Sequence, residues 1–342
     1  MKTKMKILTA LAMPAMLLAG TAQAQSGGTL AAVKERGRMV CGASQGTPGF
    51  GAPDDNGYWR GLDVETCRAV AVAVLGDMDA VDFVPLSGQQ RIPALQTGEV
   101  DMLPRTMTWT LQRDANGINF TTPNYYEYTG FMMPKSLGIS EVEGMTGATV
   151  CVQTGSTTEL VVNDVSTKHD LDLSPVVFDN TSAARQAFFS GRCDALITDA
   201  GALASVRASM ADNPDDYIIF PATPYADALT PAVRQGDDQW MDIVTWSIQA
   251  LIAAENFGIT QANVDEMLES DDPRIRRFLG TDPGNGAALG LSEDFAYQIV
   301  KALGNYGEVF ERNVGMDSPL KLERGYNALY SDGGVMFPLA FQ

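Results

Sequence analysis

An alternation of short apolar strands with amphipathic helices, run through twice, constrains this chain more than any other feature. A strand is expected over residues 38–43, then a Gly- and Pro-rich loop from Ser44 to Tyr58, then a helix over about 62–75. In that helix Cys67, Val70, Ala71 and Val74 fall at i, i+3, i+4 and i+7, one face of a 3.6-residue period. Val81 to Val84 reads as the next strand, Ser87 with Gln90 as a capping box for a short helix ending near Gly98, and Val100 to Leu103 as a third strand. Pro93 fits that short helix only within its first turn, where a missing N–H is tolerated. The plan recurs with strands at 148–153, 175–178 and 193–198 and helices at about 157–165 and 182–190, the last stopped by Gly191. This order predicts parallel strands with helices on both faces, hence two doubly wound α/β units. The chain is expected to cross between them near Thr129–Pro134 and again near Pro221–Pro231. Beyond 231 it turns helical. Met241, Val244, Ile248 and Ile252 form one stripe, and Ser292, followed by Glu293 and Asp294, is expected to cap a helix over about 293–303. The tail, 304–342, is rich in Gly and turns and carries no readable period.

Charge and composition narrow the function. A chain of 342 residues has room for about two domains. Its 42 acidic residues against 24 basic ones give a net charge of −18. Such a surface repels phosphate backbones and anionic headgroups, which excludes a nucleic-acid partner. A single His leaves little material for His-based catalysis or a multi-His metal centre, so no cofactor or metal is expected.

Residues 1–24 read as an export signal. Lys2, Lys4 and Lys6 precede an apolar run from Ile7 to Gly20, and Ala22-Gln23-Ala24 is an A-x-A cleavage signature. The run is shorter than the ~20 residues that span a bilayer. No Cys follows the cleavage point to carry a lipid, so the mature protein is expected to be exported and soluble. Export changes how Cys41, Cys67, Cys151 and Cys193 are read. No C-x-x-C is present, and an oxidising compartment favours disulfides. Three connectivities are open. Pairing within each half, 41–67 and 151–193, is the simplest, and four buried thiols are the alternative.

Ligands of open parallel sheets bind at the loops after the strands, and four such loops carry notable residues. The first runs from Ser44 to Phe50; its glycines let backbone approach a ligand, Gln45 stands within it and Phe50 could wall it. The second holds Arg105, Thr106, Thr108, Trp109 and Arg113, where an Arg could grip a carboxylate with two parallel charge-assisted hydrogen bonds. The third, Gln153-Thr154-Gly155-Ser156-Thr157-Thr158-Glu159, opens a helix whose free N–H groups favour an anion; a plain Ser/Thr cap is the alternative. The fourth ends an apolar strand at Asp199, suited to an ammonium, or else an ordinary helix cap. An Arg and a helix N-terminus for a carboxylate, with a carboxylate for an ammonium, together describe an α-amino acid zwitterion in which every buried charge has a partner.

The chain resembles the substrate-binding proteins of ABC amino-acid importers (extracellular solute-binding proteins, family 3), in the branch that binds general L-amino acids. The resemblance spans nearly the whole mature chain. It rests on Cys41-Gly42-Ala43-Ser44-Gln45-Gly46, Gly61-Leu62-Asp63-Val64-Glu65, the run Pro93 to Asp101, Thr108-Trp109-Thr110-Leu111-Gln112-Arg113-Asp114, Ala148 to Gln153, Gly191-Arg192-Cys193-Asp194, Gly236 to Trp240 and Gly304 to Phe310. It implies a two-lobed, type II periplasmic-binding-protein fold with a hinge crossed twice. On that plan residues 25–130 begin lobe 1, 131–228 form lobe 2, and 229–342 return to lobe 1 with a C-terminal helical extension. It also implies a periplasmic, monomeric receptor that delivers an L-amino acid to an inner-membrane ABC permease and catalyses no reaction. Arg113 would hold the α-carboxylate, helped by backbone near Thr108 and Thr157, and Asp199 the α-amino group. Arg105 and Trp109 would border the side-chain pocket. Shorter relatives often carry an acid in the first loop, where this chain has Ala43-Ser44-Gln45, and relatives specific for some polar amino acids carry a base where Gln153 stands; both absences weaken the case for one charged side-chain preference. Two competitors share the scaffold. One is an exported lyase of the cyclohexadienyl dehydratase kind, needing an acid or base in the cleft; His169 reads as solvated surface and Glu127 as hinge-side. The other is a sensory amino-acid-binding module, usually fused to a membrane segment.

Overall fold

The computed structural model covers residues 28–342, so the expected export signal lies outside the described residues. Helix α1 (Gly28–Arg36) leads into strand β1 (Met39–Ala43). The loop after β1 doubles back as a short antiparallel pair, β2 (Ala52–Pro53) with β3 (Trp59–Arg60). Helix α2 (Leu62–Leu75) then returns the chain to β4 (Val81–Pro85), which runs parallel to β1. The apolar stripe of α2 understates its burial. Almost its whole circumference is covered, because the helix is packed against β1 and β4 and against helices from the chain's C-terminal third.

The capping box at Ser87 forms. The Ser87 N–H donates to the Gln90 side chain at 3.1 Å, and the Gln90 N–H to the Ser87 hydroxyl at 3.3 Å. Regular helix α3 (Arg91–Thr97) begins just after it, with Pro93 in its first turn and Gly98 in the left-handed conformation that stops it. The expected third strand is reduced to isolated bridges, Cys41 with Met102 and Leu103 with Ala232. The Asp101 carboxylate accepts the Val40 N–H at 2.7 Å, which takes a main-chain group out of the ladder, and Pro104 ends the segment.

After helix α4 (Leu111–Asp114), strands β5 (Ile118–Phe120) and β6 (Tyr125–Glu127) carry the chain to the second unit. That unit contains β7 (Thr129–Pro134), β8 (Thr149–Gln153), α5 (Thr157–His169), β9 (Ser174–Phe178), α6 (Thr181–Phe189), β10 (Ala195–Asp199), α7 (Ala200–Met210) and β11 (Tyr217–Pro221). Its five strands lie in the order β11-β7-β10-β8-β9; β8 is parallel to β9 and β10, and β7 is antiparallel to both of its neighbours. Strand period 2 divides the side chains cleanly. Phe131, Met133, Val150, Val152, Ala195 and Ile197 form one core with Val162 and Val165 of α5. Met132, Cys151 and Leu196 form another with Ala184 and Phe188 of α6 and Leu203 and Val206 of α7. This is a doubly wound unit.

The segment Thr129–Pro134 was expected to be a crossing and is instead a buried strand, β7, because Phe131, Met132 and Met133 complete the two cores. The crossing lies one step earlier. β6 pairs antiparallel with β12 (Asp227–Leu229), and β5 with β13 (Ala232–Arg234). Helix α8 (Asp238–Asn256) follows, then α9 (Val264–Met267), α10 (Pro273–Leu279), α11 (Asn285–Leu289), α12 (Phe295–Leu303) and α13 (Tyr306–Asn313). Trp240, Phe278, Phe295, Phe310 and Phe341 bind these helices to α2 in one apolar core. Ser292 does not cap α12. Asp294 stands at that position without a capping bond, and Glu293 instead accepts the Gly284, Gly286 and Ala287 N–H groups at the start of α11. The tail is fixed by Asn327, whose amide side chain accepts the Tyr126 N–H and donates to the Tyr126 carbonyl at 2.7 and 2.9 Å.

The cysteines pair within each unit. Cys41 is bonded to Cys67 and Cys151 to Cys193, with Cα separations of 6.4 and 5.6 Å. Among the described residues no helix is long and apolar enough to cross a membrane.

Candidate functional site

All four predicted loops reach one cavity between the lobes. From the first lobe come Ser44, Thr47, Arg91, Arg105, Thr106, Thr108 and Arg113. From the second come Gln153, Ser156, Thr157, Thr158, Thr181, Arg185, Thr198, Asp199 and Ala202. The lobes already touch across it. The Arg185 guanidinium on α6 donates to the Gly46 carbonyl at 2.6 Å and to the Thr47 hydroxyl at 3.0 Å. The hydroxyls of Thr108 and Thr157 stand 3.4 Å apart.

Each side chain is placed by its element. Thr110 caps α4, accepting the Arg113 N–H at 3.3 Å, and the Arg113 guanidinium then folds back to the Thr108 carbonyl at 2.9 Å. Ser156 caps α5 and accepts the Glu159 N–H, which aims the first turn of that helix at the cavity. Gln153 ends β8 and is buried beside it. Thr106 holds a left-handed backbone, φ 38°, an uncommon conformation for a residue with a side chain. Asp63 fixes it by accepting the Thr106 N–H at 2.9 Å while also accepting from the Asn124 amide at 2.9 Å. Asp199 stands at the N-cap of α7, yet its carboxylate makes no capping bond. The alternative reading of Asp199 as a plain cap therefore does not hold.

Burial governs the electrostatics. It pushes the Asp199 carboxyl up to about 7, helped by Asp227 and opposed by Arg91, Arg113 and Arg105. It also pushes Asp63 to about 7, against its two hydrogen bonds and Arg105. The guanidiniums move the other way: burial takes Arg105 and Arg185 down to about 10 and lowers Arg113. Arg91 falls well below the usual arginine range through burial and the neighbouring Arg105 and Arg113 charges.

Three expected residues do not line the cavity. Phe50 is wholly buried, packed edge-to-face on Tyr125 at 5.1 Å, because its ring fills the first lobe's core. Gln45 points out to solvent. Trp109 is 43% exposed and stacks on Phe120 instead of bordering a side-chain pocket. Two charged lining residues were missed. Arg91 opens α3 directly after the capping box. Arg185 lies three residues before Phe188, on the buried face of α6 with Ala184. A charge on an apolar helical stripe was the available signal for Arg185. Glu127 is buried on β6, where one carboxylate oxygen accepts the Gly201 N–H, and it borders a separate groove beside the C-terminal tail.

The profile of the bacterial extracellular solute-binding proteins, family 3, matches residues 39–261. The chain belongs to this family. The general L-amino acid-binding periplasmic protein of Rhizobium johnstonii is 49% identical to this solute-binding protein over 98% of both chains. The glutamate/glutamine/aspartate/asparagine-binding protein of Rhodobacter capsulatus is 46% identical over 96% of each. A solved ABC-transporter periplasmic binding protein from Brucella ovis, with glutathione bound, superposes with a TM-score of 0.90 and 45% identity. It covers 92% of this chain and 99% of that one. The two-lobed type II fold expected from the resemblance is thus the fold of this solute-binding protein. Its segment beyond residue 261, outside the family profile, is shared with relatives that match along nearly their full length.

Proposed function

We propose that this solute-binding protein captures an α-amino acid in the periplasm, as a monomer, and presents it to an inner-membrane ABC permease. One observation carries the reading. Arg113 from the first lobe and Asp199 from the second line a single interlobe cavity, and neither is ion-paired with another side chain among the described residues. A half-buried cation and a buried anion on opposite walls match the two ends of a zwitterion. In this reading Thr106, Thr108, Ser156 and Thr157 supply further polar contacts to the carboxylate end, and domain limits follow the β6 and β12 crossings.

The cavity measures about 40 Å³. That is little more than one water's share of liquid volume, about 30 Å³. A ligand of amino-acid size therefore enters only when the lobes separate, and it favours closure because only the closed form offers both walls at once. The names of the close relatives support amino acids as the ligand class. The lyase reading gains nothing from the site: Glu127 borders a different groove, and His169, beside Glu143, lines another cavity.

Arg113→Ala is expected to abolish amino-acid binding in titration calorimetry while circular dichroism shows an intact fold. Unchanged affinity for every L-amino acid would sink the assignment.

A further inference from the structure

Asp199 occupies the N-cap of α7, the position from which an Asp side chain ordinarily accepts an N–H of the helix's first turn. Its carboxylate makes no such bond, yet the first turn is not left bare. The hinge segment takes the first two N–H groups. The Ala200 N–H donates to the Tyr128 carbonyl at 2.9 Å, and the Gly201 N–H donates to a Glu127 carboxylate oxygen at 2.5 Å. Position 201 is shaped for this contact. A Cβ there would lie 3.0 Å from Glu127 Oε2 and 2.6 Å from Cζ of Phe50, so only Gly lets the carboxyl and the first-lobe ring reach the helix end. Glu127 is 5% exposed, and its other oxygen has no partner among the described residues.

Resting on the amino-acid reading above, we propose that Glu127 is a positioning residue: it caps α7 from the hinge, which releases Asp199 from its own helix and leaves it to the ligand's ammonium. Without Glu127 the unpaired Gly201 N–H draws back the carboxylate at the N-cap, Asp199 itself, and a ligand has to compete with the helix for it. A second buried anion beside Asp199 would be costly, and the site avoids one. Burial, then the Asp199, Asp227 and Asp63 charges, hold the Glu127 carboxyl well above the usual carboxylate range, against the Gly201 N–H. Asp227 faces it across the β6–β12 pair, Asp63 faces it from α2, and Tyr125 and Tyr128 flank it along the chain. Asp199 in turn meets Arg91 of α3, Arg113 of α4 and Arg105 between them, besides Asp227. Glu127 therefore accepts from Gly201 through one oxygen and holds a proton on the other, a neutral cap that adds no negative charge to the ligand's wall.

Titration calorimetry on the purified full chain compares the parent protein with Glu127→Ala and Glu127→Gln from about pH 8 down to about pH 5. The probe is L-glutamine, whose side chain does not titrate, or, should it not bind, the tightest of the other uncharged L-amino acids. At about pH 8 Glu127→Ala is expected to bind roughly two- to thirtyfold more weakly, the cost of a lost helix cap. That deficit is expected to close as pH falls, because an Asp199 held by its helix keeps its charge to lower pH than one facing the cleft. Glu127→Gln keeps an acceptor for Gly201 and carries no charge, so it is expected to follow the parent within about twofold at every pH. Three results overturn the proposal: Glu127→Ala binding like the parent, a deficit that stays constant with pH and so marks a merely structural role, or Glu127→Gln binding as weakly as Glu127→Ala. Each of them leaves amino-acid binding by the parent standing. If Glu127→Ala does not fold, amide exchange in the ligand-free parent decides: the Gly201 N–H is expected to be protected without ligand, and unprotected exchange there overturns the cap. Failure of all twenty L-amino acids to bind the parent removes the functional reading and this proposal together.

Discussion

Asp199 makes the cleft sensitive to pH. Its carboxyl, raised from 3.8 to about 7, holds a proton in the ligand-free protein below neutrality. An ammonium favours the ionised form, so binding below that pH must release a proton. Affinity for a zwitterion is therefore expected to be flat above about pH 7 and to fall by up to about tenfold per pH unit below it. Calorimetry in buffers of different ionisation enthalpy measures the released proton, and an affinity constant down to about pH 5 would contradict the assignment. Asp199→Asn should cost about 3 kcal/mol or more of binding and remove this pH dependence, since an ammonium would then be buried without a counter-charge. Stability of the ligand-free protein runs the opposite way. With Asp63 and Asp199 both raised, the folded state binds protons that the unfolded chain gives up. That contribution is complete below about pH 4 and is lost as pH rises through about 7.

At the scale of elements, the second disulfide ties the middle of β8 to the turn before β10, two neighbours in the sheet that supplies Gln153 and Asp199. The bridge spans 42 residues of sequence. Replacing Cys151 and Cys193 together by Ser should lower the unfolding free energy by about 2–4 kcal/mol, read as an earlier midpoint in urea. An unshifted midpoint would mean that the bridge restrains nothing in the unfolded chain. The strand–helix–strand elements of this lobe were legible because each strand is a near-continuous apolar run bounded by Gly or polar residues. β7 was misread for a physical reason. It runs antiparallel to the sheet's other core strands, and a strand added from outside the repeated unit looks in sequence like a connector. The third strand at 100–103 was overread, because no local pattern announces that Asp101 turns its carboxylate onto the ladder.

For the whole molecule, function depends on how closely the lobes can meet. Gly88 in the first lobe faces Gln153 and Thr154 in the second, and a Cβ at position 88 would lie 3.0 Å from the Thr154 carbonyl oxygen. This obstruction exists only when the lobes are shut. Gly88→Val is therefore expected to weaken ligand binding by about 1–3 kcal/mol, the usual cost of overpacking, or roughly five- to 150-fold in affinity. Small-angle scattering should show a smaller ligand-induced compaction than in the parent protein. Full affinity with full compaction would show that closure leaves more room between the lobes at this point.

Much was set locally. Two rounds of apolar strand and capped helix dictate two doubly wound units, because side-chain period and cap chemistry act over a few residues. The same locality placed Arg113 and Asp199 on loops that end at the interlobe cavity. Tertiary structure decided what distance in sequence conceals: that Phe50 belongs to the core and Trp109 to the surface, that Cys41 meets Cys67 and Cys151 meets Cys193, and that Arg91 and Arg185, 94 positions apart in number, share a cavity with Arg113. Burial and charge proximity are properties of the closed arrangement of both lobes, and no window of contiguous residues contains them.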